Sequence, residues 1–271
     1  MLWPTDAAGH AVNLAEKAAA TGYATIIAAG GDGTVHEVAN GILRAGRPNV
    51  TLAVWPIGSA NDYAYALGAT VDWPFDAKLR TKLAVRPVDV GLVTAGGRCC
   101  FFINGLGVGF NGAVTHEAKR IRGLRSMALY GLAFLRCVVR HFDHPRYAII
   151  IDGDERDMQT LAFSVSLGKR EGGFLVTPRA VLNDGLFDYV HAGALGRWRA
   201  LTLLPRLATG TLPDDHPLIR QGRCREVRIR SVTPLWVHTD GEVFCRPADG
   251  VTDLAVDLLP AALAVLRRDA A

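Results

Sequence analysis

Apolar residues follow two rhythms along the chain. In the first ninety residues, short, almost wholly apolar runs alternate with stretches in which apolar side chains recur at helical spacing. Residues 24–29 and 50–54 are such runs, of the kind a strand buried on both faces shows. Before the first run, Val12, Ala15 and Ala19 mark a helix, with Thr5 as its expected N-cap and Gly22 at its end. After it, Val35, Val38, Ala39, Ile42 and Leu43 mark another, closing near Gly46. A short helix over 59–68 follows the second run. Strands alternating with helices predict a parallel sheet flanked by helices.

From about residue 88 the rhythm changes. Runs at 88–93 and 101–107 are separated by Ala-Gly-Gly-Arg, and runs at 146–151 and 158–167 by Asp-Gly-Asp-Glu, both hairpin signals. Further strands are expected at 186–192, 226–232, 235–238 and 251–258, with a turn at Asp240-Gly241. Many short strands joined by Gly/Asp turns predict an antiparallel β-sandwich, interrupted by helices over 112–141 and 197–207. The fold class is thus α/β plus β. The predicted boundary lies near residue 94, giving an α/β domain over 1–93 and a sandwich over 94–260. A closing helix over 261–271 would complete the first domain.

With 271 residues, 49% of them hydrophobic and 21% charged, the chain can bury a real core. Its five cysteines are odd in number and lack C-x-x-C spacing, which points to reduced thiols in a cytosolic protein rather than disulfides or a zinc site. The longest nearly uninterrupted apolar run, 127–135, falls far short of the roughly 20 residues a spanning helix needs. Asp6 and His10 interrupt any leader pattern, so a soluble intracellular protein is expected.

Charge is unevenly spread. Residues 1–93 carry 7 Lys/Arg against 8 Asp/Glu, whereas 94–271 carry 23 against 18. Within 117–146, Lys119, Arg120, Arg122, Arg125, Arg136, Arg140 and Arg146 face only Glu117 and Asp143. Such an excess suits an acidic surface such as phospholipid head groups, or is a solvated helix face.

Two motifs carry chemistry. Gly30-Gly31-Asp32-Gly33-Thr34 follows an expected strand and opens a helix, where unpaired N–H groups and a positive dipole end meet phosphate. A carboxylate there, Asp32, makes sense beside phosphates if Mg²⁺ or a proton transfer is involved. Pro56-Ile57-Gly58-Ser59-Ala60-Asn61-Asp62 occupies the same position after the next strand, with Ser59 as expected cap and Asn61 and Asp62 in the first helical turn. Two such turns after consecutive strands point to one shared site.

Together these motifs resemble the catalytic domain of diacylglycerol-kinase-type lipid kinases, a group that includes sphingosine and ceramide kinases. The resemblance rests on Gly-Gly-Asp-Gly-Thr-x-x-Glu ending at Glu37 and on Pro-x-Gly-Ser-x-Asn-Asp-x-Ala. It continues through Asp89-Val90-Gly91, residues 102–110, residues 178–188 and Asp240-Gly241-Glu242. It implies an NAD-kinase-like nucleotide domain joined to a β-sandwich, with ATP in the cleft between them. Nucleotide contacts carry over to Thr5, Gly30, Gly31, Asp32, Gly33, Thr34, Val35, His36 and Ser59, with Asn61 and Asp62 beside them. A structural Mg²⁺ carries over to Asp184 and the carbonyls of Val181 and Leu186, with Asn183 where Asp is commoner.

Glu242 is the implied proton acceptor, with Asp240 orienting the nucleophile or Mg²⁺. Their i, i+2 spacing would turn both to one side of an extended backbone. The implied partner is a lipid substrate at the inner face of a membrane, with peripheral contact, no nucleic acid, and a homodimer left open. The family's opening strand and Asn-Pro-x-Ser/Ala-Gly loop precede the position of Thr5 and are missing here, which leaves a catalytically degenerate binding protein as one alternative. An NAD or sugar kinase using the same glycine loop is the other.

Overall fold

In the computed structural model, which describes residues 1–268, the chain opens with helix α1 (His10–Ala20), strand β1 (Thr25–Gly30), helix α2 (Asp32–Arg44) and strand β2 (Thr51–Pro56). Two short helices follow, α3 (Asp62–Leu67) and α4 (Ala77–Arg80). Gly9, not Thr5, stands at the N-cap of α1, which has no side-chain cap of its own. Glu37 of α2 supplies one, accepting the N–H groups of Gly9 at 2.7 Å and Ala11 at 3.0 Å. The same two helices approach so closely that a Cβ on Gly41 would sit 2.3 Å from the Val12 carbonyl oxygen. The first glutamate of the motif is therefore a structural clamp between helices.

The remainder is mostly antiparallel. It comprises β3 (Leu83–Ala95), β4 (Arg98–Phe102), β5 (Gly105–Gly109), helices α5 (Phe110–Ala118) and α6 (Ser126–Arg140), then β6 (Arg146–Ile151), β7 (Asp154–Gln159), β8 (Ala162–Ser166) and β9 (Phe187–Ala192). Helix α7 (Arg197–Thr209), β10 (Ile219–Cys224), β11 (Glu226–Ser231), β12 (Val237–Thr239), β13 (Glu242–Cys245) and β14 (Asp253–Arg268) complete it. The single helix expected over 112–141 is two, parted around Gly123, which takes φ 83°. The run 158–167 is likewise split between β7 and β8.

β1 and β2 run parallel in register, Thr25 beside Thr51 and Gly30 beside Pro56. Both strands thus end at one level, and the two glycine-bearing loops leave the sheet side by side. The closing helix expected over 261–271 is absent across the described part. Residues 253–268 form the long strand β14, which pairs parallel with β2 at Ala264 and Val265 and antiparallel with β3 along most of its length. Residues 261–268 are good helix formers, but Leu263 and Val265 alternate inward, 2% and 0% exposed, and fill the slot between β2 and β3. Residues 269–271 lie outside the described residues.

One eight-stranded sheet, ordered β1-β2-β14-β11-β6-β7 with β3 and β4 branching from β14, therefore runs through both halves. A six-stranded sheet, β10-β9-β8-β5-β12-β13, packs on its antiparallel part. Their shared core is seen in Phe102 stacked on Phe187 at 5.7 Å between ring centroids, a contact that Gly91 permits because a Cβ there would strike the Phe102 ring. All five cysteines are free, and among the described residues no helix is long and apolar enough to cross a membrane.

Candidate active site

The two glycine loops touch. A Cβ on Gly58 would lie 2.2 Å from the Gly31 Cα, so only glycine lets them pack. Asn61, held at φ 53°, closes the second loop by accepting the Gly58 N–H at 3.1 Å and donating to its carbonyl at 2.9 Å. Asn61, rather than Ser59, stands at the cap position of α3, and Ser59 is an exposed loop residue. Asp32 opens α2 yet reaches across to α3, accepting the Tyr63 N–H at 3.2 Å. An anionic side chain in this glycine loop thus has a local explanation: it satisfies the amide groups at the start of the neighbouring helix.

Asp62 sits beside it and accepts the Gly173 N–H at 3.1 and 3.2 Å, with Arg170 Nε 3.5 Å away. Burial raises both carboxyls, more than offsetting the backbone donors at Asp32, and the proximity of Asp32 helps push Asp62 to about 6. Buried Asp62 and half-buried Asp32 line a small polar cavity together with Tyr130, Glu171, Asn104 and Asp240. The residues of the α/β part and those of the sandwich meet here.

Asp240 and Glu242 do not point the same way. Asp240 takes φ 50° and Gly241 φ 79°, a tight turn rather than extended backbone. The Asp240 carboxylate turns inward, accepting N–H groups from Ile103 at 3.1 Å, Asn104 at 2.8 Å and Gly105 at 2.9 Å, while His36 Nδ1 donates at 2.8 Å. Its side chain is 4% exposed. Burial alone would lower His36, but its hydrogen bond to Asp240, helped by Cys100, lifts it to about 10. Asp240 is therefore a clasp joining α2 to the sandwich, with all its lone pairs engaged, and cannot orient a nucleophile or bind a cation as expected. Nor is His36 a nucleotide contact: it is 8% exposed and committed to Asp240.

Glu242 lies on the other side of the turn. Its carboxylate rests over Gly33, where a Cβ would approach Oε1 to 2.8 Å, and it pairs with Lys119 at the end of α5. Gly30, Gly31, Asp32, Gly33 and Thr34 are thereby brought together with Glu242. Val35 is buried in the core at 2% exposure and lines the polar cavity instead of the loop surface. Thr5 lies in the exposed segment ahead of α1.

One feature of the structure was not visible in the sequence. An apolar cavity lies between the second sheet and helices α5, α6 and α7, walled by Phe110, Phe134, Phe174, Val190, Leu203 and Leu207 among others. It shares Thr115, Tyr130 and Glu171 with the polar cavity, so its inner end reaches the carboxylates. Tyr130 stands at the junction, fitted against Gly172 and Gly241, where added Cβ atoms would come within 2.7 and 3.2 Å of it. The only sequence signal was the apolar pattern of 127–135 and 197–207, which reads equally as ordinary core.

The residues implied as a structural Mg²⁺ site do not fit one. Asp184 is ion-paired with Arg223, which also lies 3.7 Å from Asp188, and its other oxygen accepts the Leu186 N–H at 3.2 Å. The positive charge comes from the chain itself. Of the implied set, which otherwise offers only the carbonyls of Val181 and Leu186, Asp184 is the one acid, and its carboxylate is engaged by Arg223 and the Leu186 N–H. What orders this loop is Asp89, which accepts the Gly185 N–H at 2.7 Å and the Ala261 N–H at 2.8 Å.

Two glycine loops at the strand ends of a parallel α/β unit, closed by a β-sandwich that contributes a carboxylate, define an NAD-kinase-like phosphotransferase architecture. Residues 2–93 match the family model for the diacylglycerol kinase catalytic domain, and residues 105–267 match that for the YegS C-terminal NAD kinase beta sandwich-like domain. A diacylglycerol kinase from Bacillus subtilis is 31% identical over 252 residues, covering 88% of this chain and 77% of its own. A probable lipid kinase YegS-like from Pseudomonas aeruginosa is 33% identical over 188 residues, 66% of this chain, and the match spans only 58% of that relative's length. The crystal structure of a putative diacylglycerol kinase from Bacillus anthracis superposes with a TM-score of 0.76 over 97% of this chain and 84% of that one, at 22% identity, which speaks for the fold alone. The chain belongs to the diacylglycerol-kinase-type lipid kinase family.

Proposed function

We propose that this protein transfers the γ-phosphoryl group of ATP to a hydroxyl of diacylglycerol or a closely related lipid. The observation that carries the reading is the apolar cavity whose inner end opens on the carboxylates beside the glycine loops. A cavity lined by Phe, Leu and Val side chains suits acyl chains and offers little to the hydroxyl groups of a sugar or a dinucleotide, which disfavours those acceptors. ATP enters with Mg²⁺ as a substrate complex. Its phosphates suit the amide groups of Gly31 and Gly33 at the N-terminus of α2.

Glu242 is the proton acceptor on this reading. Its carboxylate overlies Gly33, next to the place where the γ-phosphoryl would rest, and Lys119 beside it adds positive charge. The lipid O–H proton passes to Glu242 as the hydroxyl oxygen bonds to the γ-phosphorus. The bond to the β,γ-bridging oxygen breaks, and ADP leaves. Asp32 and Asp62 hold the two loops and the 170–173 segment of the sandwich in place around that position.

The test is transfer of radiolabelled phosphate from ATP to a panel of diacylglycerol, ceramide, sphingosine, NAD and glucose. Labelling confined to a lipid hydroxyl supports the proposal. Labelling of NAD or glucose, or ATP binding with no transfer to any acceptor, overturns it.

A further inference from the structure

We infer that the hydroxyl of Tyr130 reads the acyl linkage of the acceptor. It donates a hydrogen bond to the carbonyl oxygen that stands between the acyl chain and the reacting hydroxyl, so acylated alcohols are preferred over ether lipids and unacylated bases. This deepens the lipid-kinase reading and rests on it. The apolar and polar cavities meet at Thr115, Tyr130 and Glu171, and whatever joins an apolar tail to a reacting hydroxyl has to pass them. Thr115 is 2% exposed and shows almost no surface there. Glu171 offers carboxylate oxygens, one set against His238 Nε2 at 2.8 Å and the other buried without a partner. Tyr130 is half-buried, and its hydroxyl makes no hydrogen bond among the described residues.

Packing fixes where that hydroxyl stands. The ring lies over Gly172, where an added Cβ would come within 2.7 Å of Cγ and Cδ2. Its oxygen rests over Gly241, where a Cβ would lie 3.2 Å away, and Gly241 directly precedes Glu242 in the chain. The phenol is thus beside the residue that takes the proton on the proposed reading. Burial first, then the charges of Glu171, Asp62, Asp32 and Glu242, raise it well above the usual tyrosine range, so it keeps its hydrogen and remains a donor. In a diacylglycerol the nearer ester carbonyl lies only a few bonds from the hydroxyl. With the acyl chain in the apolar cavity and the hydroxyl at Glu242, that carbonyl falls at the junction. A carbonyl can only accept, and among carboxylates it would be left unpaired without a donor there. Tyr130 supplies the donor. An ether oxygen is a poorer partner, and a bound ether lipid would leave the phenol unpaired instead.

The experiment compares 1,2-diacylglycerol with 1,2-dialkylglycerol of the same chain length, which lacks only the carbonyls, as acceptors in detergent micelles for wild type and Tyr130→Phe. Wild type is expected to favour the diacyl lipid by about tenfold in kcat/KM. Tyr130→Phe keeps the ring that Gly172 accommodates, so melting temperature and the KM for ATP should stay at wild-type values. The preference should fall to near unity, through a loss on the diacyl lipid that the ether lipid does not share. Equal use of both lipids by wild type would overturn the inference. So would an equal loss on both in Tyr130→Phe, which would make the residue a structural wedge. A preference for 1-alkylglycerol over both would also overturn it, by giving the junction and the free Glu171 oxygen to a second hydroxyl. Equilibrium binding of each radiolabelled lipid without ATP separates this contact from the kinase reading. A diacyl preference in binding that Tyr130→Phe abolishes, with no phosphoryl transfer to any lipid, would uphold the contact and reject the kinase. Transfer at equal rates to diacyl and dialkyl lipids would do the reverse.

Discussion

Asp240 and Glu242 stand two residues apart and do different work, which separates them experimentally. Glu242→Gln keeps shape and hydrogen bonding but removes the proposed proton acceptor. kcat should fall by about 10² to 10⁴ while the KM for ATP stays near wild type. Asp240→Asn instead leaves three amide donors and His36 short of a carboxylate in a buried place, so it should cost about 3 kcal/mol or more of stability, read as a lower denaturation midpoint. The His36–Asp240 pair also sets a pH dependence. Because His36 is raised in the folded state to about 10, its contribution is complete below its unfolded value near 6.5 and is lost as pH rises toward 10. Melting temperature measured across that window should decline, and the decline should vanish in His36→Gln. Asp62 works in the opposite sense for function. With its carboxyl raised to about 6, the ionised form that the site uses is lost below that value, so kcat/KM should fall on the acid side of pH 6. A rate flat from pH 5 to 8 would rule Asp62 out as an essential carboxylate.

At the scale of elements, the glycine loops were legible and the strand that completes the sheet was not. Gly30 to Thr34 and Pro56 to Asp62 follow apolar runs in a pattern only a parallel α/β unit uses, so their adjacency could be read directly. Residues 261–268 carry local helix preference, and only the empty slot between β2 and β3 makes them a strand. The i, i+2 argument for Asp240 and Glu242 failed because a positive φ at Asp240 cannot be read from composition. Arg223 was equally hidden, since its pairing with Asp184 is a long-range contact. That pairing makes a clear expectation: melting temperature without nucleotide should be the same in Mg²⁺ and in EDTA. Arg223→Met should lower it and create a Mg²⁺ dependence. A wild-type chain already destabilised by EDTA would contradict the assignment of the arginine as the resident positive charge.

Across the whole molecule, one sheet runs from the glycine loops into the sandwich, and β14 is its spine. The glycine loops, the Asp240 clasp and the apolar cavity are thereby held on a single frame, with Tyr130 and Glu171 between that cavity and the carboxylates. Cavities of this kind leave little trace in sequence, because a side chain that lines one is as apolar as a side chain that fills a core. The claim that most needs testing is that acyl chains occupy this cavity while the hydroxyl meets Glu242. Ala200, 5% exposed on α7, lines it. The decisive measurement is kcat/KM for diacylglycerols of increasing chain length in wild type and Ala200→Phe, with the KM for ATP and the melting temperature recorded alongside. The account expects Ala200→Phe to lose about tenfold or more on long-chain acceptors, little on the shortest, with ATP KM unchanged. An equal loss at every chain length, or none at any, would contradict it.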